Sequence, residues 1–205
     1  SFGEGRVSPD SINFSSGTWT GPVTCFRAYE TSINRGNVNL LADLSSDPSV
    51  NGSSDPFTVH PGPFARLQVV VPGESALPGS VTGRTGTPVT QTAGRSFTAS
   101  VSATDNWWNP VPSGDNTRLT SSDAAANTPL TGVLASGTRS FSVILGTVGT
   151  QTLTIADLTN GSIQSMTSAG INVAPSALDR FVIDPIGPQI AGVAVAGRIR
   201  AVDAN

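Results

Sequence analysis

The sequence predicts an all-β protein, on three observations. Only 12% of its 205 residues are charged, so the Glu, Lys and Arg that coat helical surfaces are scarce. Gly (22) and Pro (15) punctuate the chain from end to end. Between them lie short Val/Ile/Leu/Phe/Thr runs, the pattern of strands separated by turns. The length suits one or two domains and is enough to bury a core.

The runs recur. Thr92–Asp105 lies over Ile190–Asp203 at an offset of 98, matching Gly94 with Gly192, Val101 with Ile199 and Asp105 with Asp203. Leu40–Val69 lies over Thr154–Ile183 at 114, matching Ala42 with Ala156, Val59 with Val173 and Arg66 with Arg180. A third match at 120 pairs Pro9 with Pro129, Gly17 with Gly137 and Val23 with Val143. The 98 and 114 offsets differ by 16, an insertion within "GESALPGSVTGRTGTPVT" that reads as a long surface loop. The chain therefore divides into 1–62, the back part of a unit; 63–175, a whole unit; and 176–205, the first strands of another.

Within the whole unit, strands are expected in order. "ARLQVVV" gives Ala65–Val71, "SFTASVSAT" alternates over Ser96–Thr104, and "TRLTS" gives Thr117–Ser121. "SFSVIL" gives Ser140–Leu145, "TQTLTIADL" gives Thr150–Leu158, and "TSAGINV" gives Thr167–Val173. Roughly 100 residues with about seven short strands predict an immunoglobulin-like β-sandwich. "HPGPFARL" and "APSALDRF" read as Pro-bearing linkers that would make adjacent units semi-rigid beads.

The stretch "TAGRSFTASVSATDNWWNPV…SSDAAA…SGTRSFSVILGTVGTQTLTIADLTNG…SAGINV" resembles the tandem Ig-like repeats of large bacterial surface and secreted proteins. That resemblance covers nearly the whole chain. It implies a structural, extracellular setting on a bacterial cell, as in adhesins, S-layers, stalks and fibres, and names no ligand.

Composition excludes several function classes. A net charge of −3 at pH 7 argues against a nucleic-acid partner. All eleven basic residues are arginine, which rules out Schiff-base chemistry and Lys–Asn isopeptide cross-links. Cys25 has no second cysteine and reads as a small core residue. No run approaches the roughly 18 apolar residues of a membrane span. Ser1–Asp10 shows no signal-peptide pattern, so a secreted protein would have lost its signal or carry it upstream.

Partial units would leave apolar faces and strand edges open. Two explanations stand: a window on a longer tandem array, or head-to-tail completion by strands from copies of itself. The expected assembly residues are the linker-strand anchors Phe64 and Leu178, with Arg66, Arg180 and Phe181. "DNWWNPVP" carries two readings. Trp107 and Trp108 either form an indole platform for a surface glycan, or one caps the sandwich while the other packs on an adjoining unit. Trp19 falls where the next unit has Arg139, which suggests an exposed position.

No metal site, cofactor or catalytic set is expected. Asp105, Asp123, Asp157 and Asp203 are isolated, one per turn, and read as turn caps rather than calcium ligands. His60 lacks a second histidine for zinc, and "GRTGTP" lacks the Lys of a phosphate loop and reads as flexible. The sequons at Asn13, Asn51 and Asn160 read as turns.

Overall fold

The computed structural model describes residues 7–29 and 37–203. The expected end points at Ser1 and Asn205 lie outside the described residues. Those described form strands and turns, with no helix long and apolar enough to cross a membrane.

In the first segment, β1 (Val7–Ser8) pairs with β2 (Thr24–Cys25), and β3 (Leu41–Leu44) forms an antiparallel hairpin with β4 (Asp47–Ser53). The central segment carries twelve strands. They are β5 (Arg66–Val70), β6 (Glu74–Ala76), β7 (Arg84–Gly86), β8 (Gln91–Thr92), β9 (Ser96–Thr104) and β10 (Asn116–Ser121), followed by β11 (Leu130–Val133), β12 (Thr138–Ile144), β13 (Gly149–Gln151), β14 (Leu153–Asp157), β15 (Met166–Thr167) and β16 (Ile171–Ala174). A last hairpin joins β17 (Leu178–Ile183) to β18 (Ile199–Asp203).

The central segment is a β-sandwich. One sheet runs β12-β9-β5, the other β11-β10-β14-β15, and β13-β16-β8 completes the layer with β8 parallel to β16. Alternation along β9 buries Phe97, Ala99, Val101 and Ala103. These pack with Leu67, Val69, Phe141 and Val143 against Leu119, Leu153, Ile155, Ile171 and Val173 in a single core.

β9 has its expected bounds, but the two strands expected at 150–158 and 167–173 are each broken. The chain leaves one ladder at Thr152 and changes partners, from β16 to β10 and β15. Opposite this break, Ser168 Oγ accepts from the Leu153 amide at 3.0 Å, and the Ser168 amide donates to the Leu153 carbonyl at 2.8 Å. A side chain thus replaces a ladder partner where the strand switches. The expected long loop also proves ordered: it contains the β6–β7 hairpin and an ion pair between Arg84 and Glu74 at 3.4 Å. Short strands without alternation carry no period to read.

The repeat is visible in the backbone. Ser15 and Thr18 exchange two backbone hydrogen bonds around Gly17 (φ 79°), and Ala135 and Thr138 do the same around Gly137 (φ 83°). Gly94 (φ 72°) and Gly192 (φ 84°) turn alike, with Arg95 donating to Thr92 and Val193 to Ile190. The β17–β18 ladder repeats β5–β9: Arg180↔Val202, Phe181↔Ala201 and Ile183↔Ile199 stand where Arg66↔Thr104, Leu67↔Ala103 and Val69↔Val101 stand. One ladder departs from the sequence alignment. Leu41 faces Ser53, whereas the counterpart of Thr154↔Thr167 at offset 114 would place Leu40 there. Among the described residues β3 has no neighbour equivalent to β10, so no core face there holds its register.

Candidate functional site

The densest long-range polar contacts lie where the first segment meets the central one, around the loop Asp105–Asn109. Asp105 builds this loop. Its Oδ1 accepts from the backbone amides of Trp107 (2.7 Å) and Asn109 (2.9 Å). Its Oδ2 accepts from Asn109 Nδ2 (2.9 Å) and from the linker amide of Gly62 (2.8 Å). Four donors satisfy the carboxylate's lone pairs, which lets it lie buried without a cation. Trp108 is held in the left-handed region (φ 64°), a conformation that a bulky residue keeps only where its surroundings impose it.

Asn109 faces the other way, onto the first segment. Its Oδ1 accepts from the Ala28 amide (2.8 Å) and its Nδ2 donates to the Phe26 carbonyl (2.9 Å). Phe26 and Trp107 meet with ring centroids 4.2 Å apart and planes at 54°, a tilted aromatic pair. Gly79 completes the seam: its amide donates to the Trp107 carbonyl at 2.7 Å, and a side chain there would strike Arg27. Ala28 and Arg27 are buried by this contact.

The left-handed turn at Trp108 sends the two indoles apart. Trp107, 38% exposed, lies on Phe26; Trp108, 9% exposed, lies beneath the β6–β7 hairpin. Any side chain at Gly83 would enter its ring, and its Nε1 donates to the Val81 carbonyl at 3.3 Å. The stretch "GRTGTP" expected to be flexible is therefore pinned on an indole. Arg66 stacks its guanidinium 4.7 Å from the Trp108 ring centroid, a cation–π contact, and donates to Asn106 Oδ1 at 3.2 Å. A ring so covered offers no open platform, so Trp107 and Trp108 do not form the paired indole surface that one reading expected.

Cys25, His60, Asp105 and Trp107 line one pocket at this seam. Those residue types serve nucleophilic catalysis in other arrangements. Here Asp105 is consumed by its four donors, and burial pushes the Cys25 thiol up, away from the thiolate form.

The other expected interface residues separate into two environments. Phe64 packs partly buried against the central core. Its counterpart Leu178 is exposed, as is Phe181, and Arg180 pairs with its neighbour Asp179 at 2.6 Å. Trp19, expected to be exposed, is half-buried, with its ring over Gly21. Sequence reasoning treated Asp105 as a turn cap and overlooked Asn109. The Asp-x-x-x-Asn spacing was present, but its partners lie 81 and 83 residues away in sequence.

No protein-family model matches the chain, and no curated protein matches it. Among solved structures the chain is similar to parts of the surface layer protein SbsC. Domains 4–9 match at TM-score 0.35 and 18% identity, covering 76% of this chain and 22% of that one. Domains 1–6 match at 0.35 and 19%, covering 82% and 20%, and domains 4 and 5 at 0.33 and 16%, covering 80% and 87%. The chain thus spans about a fifth of the first two. Likeness at these TM-scores leaves function to be argued from the chain's own geometry.

Proposed function

We propose that this protein is a structural, non-enzymatic component of a bacterial cell-surface or extracellular assembly. It is built from tandem Ig-like units, 1–62, 63–175 and 176–205, whose open faces are completed by strands of neighbouring units of the same kind. The observation that carries this reading is the β17–β18 hairpin. Its register repeats β5–β9, yet Phe181 and Ile199 are each 65% exposed where Leu67 and Val101 are 0% and 1%. An exposed apolar sheet face supports association, and among the described residues β18 has no further strand where β9 carries β12. The strand order E-B-A facing C-F-G, read as β12-β9-β5 facing β10-β14-β15, supports the immunoglobulin-like assignment. The Ser/Thr-rich, charge-poor composition supports the extracellular setting.

Leu178→Asp places a charge on the open face without touching the central core. Sedimentation of the 205-residue chain over a range of concentrations tests it. The wild type should self-associate, and Leu178→Asp should weaken association about tenfold or more while leaving the central unfolding transition in place. A wild type that stays monomeric at all concentrations, or a variant that assembles normally, overturns the proposal. The intact mass from the native source then identifies the neighbour: well above 20.9 kDa places it in the same chain, near 20.9 kDa in a second copy.

A further inference from the structure

The seam between the first and central segments combines the Phe26–Trp107 ring contact with hydrogen bonds made to backbone, and those hydrogen bonds have a consequence for how units stack. Asn109 grips the carbonyl of Phe26 and the amide of Ala28, and Asp105 grips the amide of Gly62. None of these contacts reads a side chain of the first segment. At offset 120 the positions Phe26, Arg27 and Ala28 become Gly146, Thr147 and Val148, different in every side chain, so only backbone amides and carbonyls are common to both. The second junction repeats one bond of the set. Ser176, at offset 114 from Gly62, donates its amide to Oδ2 of Asp203, at offset 98 from Asp105, over 2.9 Å against 2.8 Å.

We propose that the Asp105–Asn109 loop is an orientation lock between successive units. It is a surface that fits the strand-entry turn of a preceding unit of this kind through that turn's backbone. Asp105 acts as the hub. Its Oδ1 shapes the loop, and its Oδ2 fixes both the Asn109 carboxamide and the linker. The left-handed Trp108 (φ 64°) anchors the loop beneath the β6–β7 hairpin and leaves Trp107 to close on Phe26. Backbone recognition explains how one lock serves junctions of different sequence. The lock rests on contacts within the chain, and it stands or falls independently of what completes the β17–β18 face.

Native-state trypsin digestion of the full chain tests it, because Arg27 is 8% exposed and sits inside the seam. In Asn109→Ala, cleavage after Arg27 should accelerate about tenfold or more, the effect of losing the two side-chain hydrogen bonds that cross the seam. Cleavage after Arg118, on β10 of the central sandwich, should stay at the wild-type rate. Unchanged protection of Arg27, or acceleration at both sites together, overturns the lock. Hydrogen exchange on the wild type provides a check free of any variant. The Gly62 and Ser176 amides should both be protected relative to free peptide, and exchange of either at the free-peptide rate overturns the proposal.

Discussion

The antiparallel pairs β5–β9 and β17–β18 share a register, yet one forms the centre of a core and the other lies open to solvent. Pairing and burial are therefore separable in this protein. The ladder depends on local alternation and on a turn that both pairs share, with a left-handed glycine at Gly94 or Gly192. Burial depends on a facing sheet, which β10, β14 and β16 supply to the central pair and which the described residues do not supply to the last one. The same side-chain types at equivalent positions contribute to stability in one place and to association in the other.

The largest expected effect breaks that symmetry directly. Leu67→Ala should destabilise the central sandwich by about 2–5 kcal/mol, because it opens a cavity in a fully enclosed site. Phe181→Ala, at the equivalent position, should shift the same denaturation midpoint by about 0.5 kcal/mol or less while weakening association. Equal losses at the two sites would show that the C-terminal hairpin is buried in solution.

The matched turns allow a smaller comparison. A side chain at Gly137 (φ 83°) would strike the Val111 carbonyl, whereas at Gly17 (φ 79°) it would meet nothing within 4 Å. Gly17→Ala should therefore cost only the left-handed conformation, about 1 kcal/mol. Gly137→Ala should cost at least about 2 kcal/mol, because the turn itself must shift. Thermal unfolding of the two variants separates backbone preference from steric contact.

The smallest effect concerns pH. Burial opposes ionisation of Asp123, but hydrogen bonds from Thr147, Ala125 and Gly146 outweigh it and hold the carboxyl below its usual range. A carboxylate depressed in the folded state contributes stability above its unfolded pKa and loses it as pH falls through the folded one. Stability of the central sandwich should therefore decline below about pH 4. Asp123→Asn should flatten that part of the acid profile; a profile unchanged in the variant would assign the decline to other groups.

Much of this architecture was legible before any coordinates. Alternation in "SFTASVSAT" marked β9 to its true bounds, because a strand with one buried face and one wet face must alternate. Recurrence at 98, 114 and 120 is accompanied by shared turn geometry and by one repeated ladder register. The breaks at Thr152 and around Ser168 were not legible, since no Gly or Pro stands at Thr152 or Ser168 to mark where the strand changes sheet. Gly170 shows why: a side chain there would crowd the Thr150 methyl, a constraint set by β13 lying against it. The junction was also hidden. Asp105 was marked as a polar turn residue, but nothing in "DNWWNPVP" reveals that Asn109 reaches Phe26 and Ala28, or that Trp108 turns inward.

By itself, the sequence determined the all-β class, the recurring turns and the strands whose faces differ, because these follow from local periodicity and turn chemistry. Only the tertiary structure decided which apolar faces are covered, where strands change sheets, and which polar side chains bind distant backbone. Those outcomes depend on groups distant in sequence, 15 residues apart at Leu153 and Ser168 and 81 and 83 apart at Asn109, where sequence spacing carries no geometric information.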